Sequence, residues 1–186
     1  MFDEIYNLHL ISAELEWVQE ITSLPDFRCI LFDKLMIREI SNLLKYSKTM
    51  TMFVYDTTFN LCKFFVSPLL AKFSLFEQEP TIPVGFYMHE TKTGESHDQF
   101  FRKMARTIPE LKEPSKAFFT TDHEDAFRKA IQSFFPSVRI LRCWNHLFGN
   151  IRSWIRKHGG KNLDTKLYCD NCRELFRLKN RLYRSV

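Results

Sequence analysis

Residues 53–67 read FVYDTTFNLCKFFVS. An aromatic and β-branched run delivers one carboxylate, Asp56, and a second apolar run begins almost at once. A buried strand has no use for a charge stripped of its water. Asp56 therefore either begins the turn between two strands or projects into a site. Which of the two holds decides what the fold around it is for.

The β texture extends outward from Asp56. Residues 49–56 (TMTMFVYD) predict a first strand, 60–70 (NLCKFFVSPLL) a second and 81–90 (TIPVGFYMHE) a third. Short connections make these three antiparallel. Residues 96–111 then predict a helix closed by Pro109. SKAFFTTD (115–122) predicts a fourth strand that ends, like the first, in an aspartate, Asp122. A helix over 123–136, a strand over 137–143 and a helix over 144–160 complete the series. Strands separated by helices are parallel additions. The order predicts an α/β protein with a mixed five-stranded sheet, three antiparallel strands then two parallel ones, flanked by helices. That is the order of a ribonuclease-H-like fold.

Upstream, Ile5, Leu8, Ile11, Leu15, Val18 and Ile21 recur at helical spacing, which predicts a helix over 3–22. LPDFRCILF (24–32) reads as a turn and a short strand. Asp33 is placed to cap a helix whose apolar face carries Leu35, Ile37, Ile40, Leu43 and Leu44. The expected organisation is an N-terminal helical segment (1–49), an α/β core (50–158) and a basic helical tail (159–186).

Composition narrows the function. With 5 Gly and neither a G-x-G-x-x-G nor a G-x-x-x-x-G-K-[ST] motif, glycine-rich phosphate loops are excluded. No apolar run approaches the roughly 20 residues of a membrane helix, so no membrane partner is expected. The N-terminus MFDEIYNLHL carries acids where a secretory signal would carry bases. The five scattered cysteines are then expected as reduced thiols in the cytosol or nucleus. Cys29 and Cys62 lie in apolar runs and read as core, as do Trp144 and Trp154. Charge is lopsided: residues 1–138 hold 15 Lys/Arg against 19 Asp/Glu, and residues 139–186 hold 12 against 3. A tail that basic suits a polyanion such as DNA. Arg142, Arg152, Arg156 and Lys157 gather around the helix after the last strand and are the candidate phosphate contacts.

In the expected topology the first and fourth strands are parallel neighbours, so Asp56 and Asp122 meet at one sheet edge. Two carboxylates brought that close repel one another unless a cation lies between them. Mg²⁺ or Mn²⁺ held by two or three acids plus water is a known device for phosphodiester chemistry. The local alternatives are a turn begun by Asp56 and a helix N-cap at Asp122, with Asp125 at the capping-box position. Cys143-x-x-His146 and Cys169-x-x-Cys172 form two ligand pairs, either a Cys₃His zinc set or thiols that share helix faces. His97 opens a helix and reads as a cap, and His158 suits a basic last turn.

These blocks resemble the transposase domain of Mutator-like elements (MULE). Asp56–Phe59 is similar to that family's Asp-Thr-Thr-Phe block, Thr121–Glu124 to its T-D-G-E block, and Cys143 with His146 to its C-x-x-H element. The resemblance runs over about residues 33–158. It implies a DDE transposase, with Asp56 and Asp122 as the first two catalytic, metal-binding acids for two Mg²⁺ or Mn²⁺ ions. It also implies transposon-end DNA as substrate and strand cleavage and transfer as the reaction; a homo-oligomer is a further expectation, and the absence of a secretory signal fits the nucleus as the place of work. Three departures qualify it. His123 stands where the family usually has Gly. No block matches the family's third acid, and Glu174 is not given that role. The family's N-terminal zinc module has no counterpart. The expectation is a truncated or domesticated copy that is inactive or nearly so, and the alternative is a non-catalytic DNA- or protein-binding module.

Overall fold

The computed structural model describes residues 15–57, 59–74, 76–122, 124–159 and 164–182. Two compact units divide the chain, Met1–Leu141 and Arg142–Val186. The first holds an eight-stranded mixed sheet. Its strands are β1 (Val18–Thr22), β2 (Arg28–Leu31), β3 (Thr51–Tyr55), β4 (Phe59–Leu61), β5 (Phe64–Lys72), β6 (Thr81–His89), β7 (Ala117–Thr121) and β8 (Arg139–Arg142). The spatial order is β1-β2-β6-β5-β3-β7-β8, with β4 paired to β5. Helices α1 (Lys34–Tyr46), α2 (Gly94–Thr107) and α3 (Asp125–Phe134) belong to the same unit. Helices α4 (Trp144–His158) and α5 (Thr165–Leu182) make up most of the second.

The mixed sheet and its helices match the sequence expectation, but the strand count does not. Residues 60–70 are two strands, because the chain turns at Cys62–Lys63, where Cys62 takes a left-handed φ of 56°. Cys62 is consequently exposed at a turn and is not core. Within the helix expected over 3–22, Val18–Thr22 is a strand paired antiparallel with β2, and β2 pairs with β6. Five residues cannot separate a helical period from an alternating one. Val18, Ile21 and Thr22 are β-branched, and an open strand edge beside them supplies the partner. The start of that predicted helix, residues 3–14, lies outside the described residues.

Strands β3 and β7 are the centre of the design. They pair in parallel, and both alternate buried and half-buried side chains in the same phase. Phe53, Tyr55 and Phe119 lie on the buried face with no exposure, covered by aromatic residues of α2 and α3. Tyr55 alone meets Phe101 at 4.8 Å, Phe127 at 5.3 Å and Phe100 at 5.4 Å between ring centroids. Asp33 caps α1 as expected, its Oδ1 accepting from the backbone N–H of Leu35 and Met36. Leu35 itself points away from the core and is exposed.

Gly85 is where β6 passes closest to a neighbour. A Cβ there would lie 2.9 Å from the Leu31 carbonyl oxygen and 3.3 Å from Phe32 Cβ. Backbone cannot yield as a side chain can, so Gly85→Ala is expected to cost about 1–3 kcal/mol, read as a lower denaturant midpoint.

Candidate functional site

The parallel register of β3 on β7 sets Thr51 opposite Ala117, Phe53 opposite Phe119 and Val54 opposite Thr120. Continued past Tyr55 and Thr121, the same offset sets Asp56 opposite Asp122. Both acids are half-buried and occupy the first position beyond their strands. Neighbouring strands lie roughly 4.8 Å apart, so the two backbones leave the sheet side by side. β6 runs the same way as β3, since each is antiparallel to β5. The edge that carries the acids is therefore the carboxyl end of three strands, where open α/β sheets place their ligands.

Two more charges belong to this edge. Glu124 lies just beyond Asp122, and its carboxyl keeps its proton to higher pH than usual. Partial burial is the largest cause, followed by the charge of Asp122, a hydrogen bond with Asp122 and the charge of Asp56. The Lys92 ammonium, in the loop after β6, acts in the opposite direction. Glu124 thus feels both aspartates, which places three carboxylates and one lysine in one electrostatic neighbourhood. Sequence reasoning quoted Glu124 without giving it a role and missed Lys92. The missed signal was positional: Lys92 follows the carboxyl end of β6 as Asp56 follows that of β3.

Asp122 also serves the local turn. Its Oδ1 accepts from the Glu124 backbone N–H at 3.0 Å. It is not the N-cap of α3, which is Glu124 with no side-chain cap bond, and Asp125 instead pairs with Arg128 at 3.1 Å.

Behind Asp56 the end of β3 is fixed by buried polar side chains. His89 Nδ1 lies 2.7 Å from the Thr91 carbonyl, an acceptor, so Nδ1 carries the proton. Nε2 then accepts from the Ser67 hydroxyl at 2.8 Å, and Ser67 accepts from Thr57 at 2.6 Å. Thr57 adjoins Asp56, so the chain of bonds ties the acid's backbone to β5 and β6. Tyr55 hydroxyl meets His97 Nδ1 at 2.8 Å. His97 is fully buried, so it is a core residue of α2 and not a cap; Thr93 is the cap. Burial, with help from His89 and Lys92, pushes its pKa down to about 3. Burial also lowers His89, and the Lys92 and Arg28 charges add to that shift.

Among the described residues, no group of three or more His, Cys, Asp or Glu side chains is gathered closely enough to hold an ion. That covers Cys143, His146, Cys169 and Cys172 as well as the acids. Cys169 is buried, and Cys143 and Cys172 are half-buried. In the second unit, Arg142, Arg152, Arg156 and Lys157 are all exposed. Trp154 is 63% exposed and stacks on His158 at 5.1 Å, and Trp144 is 37% exposed, so neither tryptophan is core as expected. No helix among the described residues is long and apolar enough to cross a membrane.

A mixed α/β sheet that carries a pair of aspartates on adjacent parallel strands defines a broad class of proteins. The comparison with families narrows it. The family model described as MULE transposase domain matches residues 52–150, just over half of the chain and the stretch that spans both aspartates. The chain belongs to the MULE transposase domain family. No curated protein matches it.

Proposed function

We propose that this chain is the DNA-processing core of a MULE-type transposase, a ribonuclease-H-like fold in which Asp56 and Asp122 hold divalent metal. The observation that carries the reading is the register of β3 on β7, which delivers both carboxylates to one edge. The donor set fits the ion. Two hard carboxylate oxygens completed by water suit Mg²⁺ or Mn²⁺ and suit zinc poorly. Burial is the main cause of the raised proton affinity of Glu124, and the charges of Asp122 and Asp56 add to it, which agrees with negative charge gathered at that edge. When bound, two such ions would activate water or a 3′ hydroxyl and stabilise the leaving oxygen.

The chain's own residues have separate tasks in this reading. Asp56 and Asp122 bind, and the Thr57–Ser67–His89 bonds orient Asp56. Lys92 offsets the carboxylates and is placed to meet a phosphate. DNA is the substrate, and the nucleus the site of action. Asp56 and Asp122 are the two acids assigned in this reading, and the chain is expected to bind metal and DNA. A second reading, a DNA-binding module without catalysis, is favoured by one observation: Trp154 stands exposed on the helix that carries Arg152, Arg156 and Lys157.

Calorimetric titration of Mg²⁺ and Mn²⁺ separates the two readings. Wild type is expected to bind, and Asp56→Asn and Asp122→Asn are each expected to weaken binding by more than about tenfold, since either loss breaks the shared site. A wild-type chain that takes up no ion at millimolar concentration sinks the catalytic reading and leaves the DNA-binding module.

A further inference from the structure

A cavity of about 290 Å³ lies between the first strands and α2, lined by Glu20, Thr22, Arg28, Glu95, Gln99, Arg102, Lys103 and Arg106. We infer that this cavity binds a phosphate group, and that its occupant is a backbone phosphate of the DNA strand handled at the Asp56–Asp122 edge. The inference rests on the transposase reading for its choice of ligand and on the cavity's own chemistry for the rest.

Among the described residues the lining holds four cations and two carboxylates, a net of two positive charges. One carboxylate is already engaged, since Glu20 accepts from Gln99 at 2.8 Å and pairs with Lys103 at 3.4 Å. Arg28 is the anomaly. Its side chain is only 11% exposed, and its ion pair with Asp26 is long, at 3.7 Å. Among the described residues its hydrogen-bond partner is the neutral Gln99 at 2.9 Å, and its Nε is buried with no partner. A mostly buried guanidinium with one long ion pair and an unpartnered Nε is incompletely satisfied, and an anion in the cavity would complete its bonding.

Arg102 and Arg106 lie one turn apart on α2, exposed, with no carboxylate partner among the described residues. The Phe134 ring, 5.8 Å from the Arg102 guanidinium, steadies that side chain. Arginine forks suit phosphate oxygens.

Among the described residues no aromatic ring lines the cavity, which suits a phosphate better than a base. Its volume is at the bottom of the range for small-molecule sites, roughly 300–1,000 Å³. These features suit one phosphate and its water, recognised without regard to sequence. Arg28 opens β2 opposite His89 of β6, at the same sheet edge as the acids. Strand β2 is three places from β3 in the sheet, about 14 Å at roughly 4.8 Å per strand. At a rise of about 3.4 Å per nucleotide, one DNA strand covers that distance in about four nucleotides. The cavity would then hold the strand a few phosphates from the acids.

The test compares the full chain with Arg102→Gln/Arg106→Gln, two exposed positions whose loss leaves the core intact. Binding of a 20-base-pair duplex is followed by fluorescence anisotropy across a salt series in EDTA, and circular dichroism confirms the fold. Each neutralised phosphate contributes about 0.9 to the slope of log affinity on log salt. The variant is expected to lose about 0.9 from that slope, the share of one phosphate, and about tenfold in affinity at 0.1 M salt. A duplex bound by both chains with the same slope overturns the assignment of DNA to the cavity and leaves the transposase reading intact. No duplex binding by wild type overturns both. A parallel titration with inorganic phosphate separates the sources: phosphate binding lost in the variant, with duplex binding unchanged, overturns the DNA assignment in favour of a free anion.

Discussion

Lowering the pH from 7 to 5 is expected to remove about 2 kcal/mol of folding stability through His97 alone. The sign follows from the direction of the shift. In the folded chain His97 gains a proton only near pH 3, whereas in the unfolded chain an ordinary imidazole gains one near 6.5. Between those values the unfolded chain binds the proton and the native chain does not, so acid favours unfolding. The stability is complete above about pH 6.5 and is lost as the pH falls toward 3. At pH 5 the gap is about 1.5 units below 6.5, and each unit is worth about 1.36 kcal/mol. The cause is steric and dielectric at once. His97 has no exposure, its Nδ1 is occupied by Tyr55, and its Nε2 has no partner that could stabilise an added proton. His89, 5.0 Å away between ring centroids, shifts in the same direction, while Glu124 contributes with the opposite sign. Urea unfolding at pH 7 and pH 5 on wild type and His97→Gln isolates the one group, because His89 and Glu124 are common to both chains. The variant is expected to show a loss smaller by about 2 kcal/mol. Equal losses in the two chains would show that His97 is not held neutral by the core.

The parts of this fold that could be read from sequence are those in which local pattern and tertiary pairing agree. TMFVY and AFFTT alternate cleanly, and each is followed by an aspartate. The strand-helix-strand order makes them parallel neighbours, so the pair Asp56 and Asp122 followed from topology. The misreadings came where pairing overrode pattern. The turn at Cys62–Lys63 carries neither Gly nor Asn, the residues that normally announce a left-handed φ, so one strand stood for two. Val18–Thr22 became a strand because β2 offered an edge, a fact present nowhere in those five residues. His97 reads as a cap because it lies near a helix start. Thr93 holds the cap, and α2 has turned His97 inward against Tyr55. Lys92 and Glu124 were missed for a related reason. A single charged residue in a loop carries no signal until the sheet brings its loop beside another.

Phe101→Ala is expected to cost about 4 kcal/mol, a large part of the 5–15 kcal/mol that holds a domain together. Phe101 has no exposure and touches four aromatic neighbours, with ring centroids at 4.8 Å from Tyr55, 5.4 Å from Phe100, 6.0 Å from Phe119 and 6.3 Å from Phe135. Truncation removes the transfer energy of the ring and leaves a cavity that rigid neighbours cannot close. The position matters beyond stability. Tyr55 immediately precedes Asp56, and Phe119 lies three residues before Asp122, so one ring braces the ends of both strands that carry the acids. Denaturant unfolding gives the stability loss. Mg²⁺ calorimetry, in buffer where the variant remains folded, gives the effect on the acids. A severalfold fall in Mg²⁺ affinity, with both carboxylates still present, is the expected outcome. Retained affinity in a destabilised chain would mean that backbone pairing between β3 and β7 alone holds the aspartates in register, and that the aromatic core supports the fold without setting the geometry of the site.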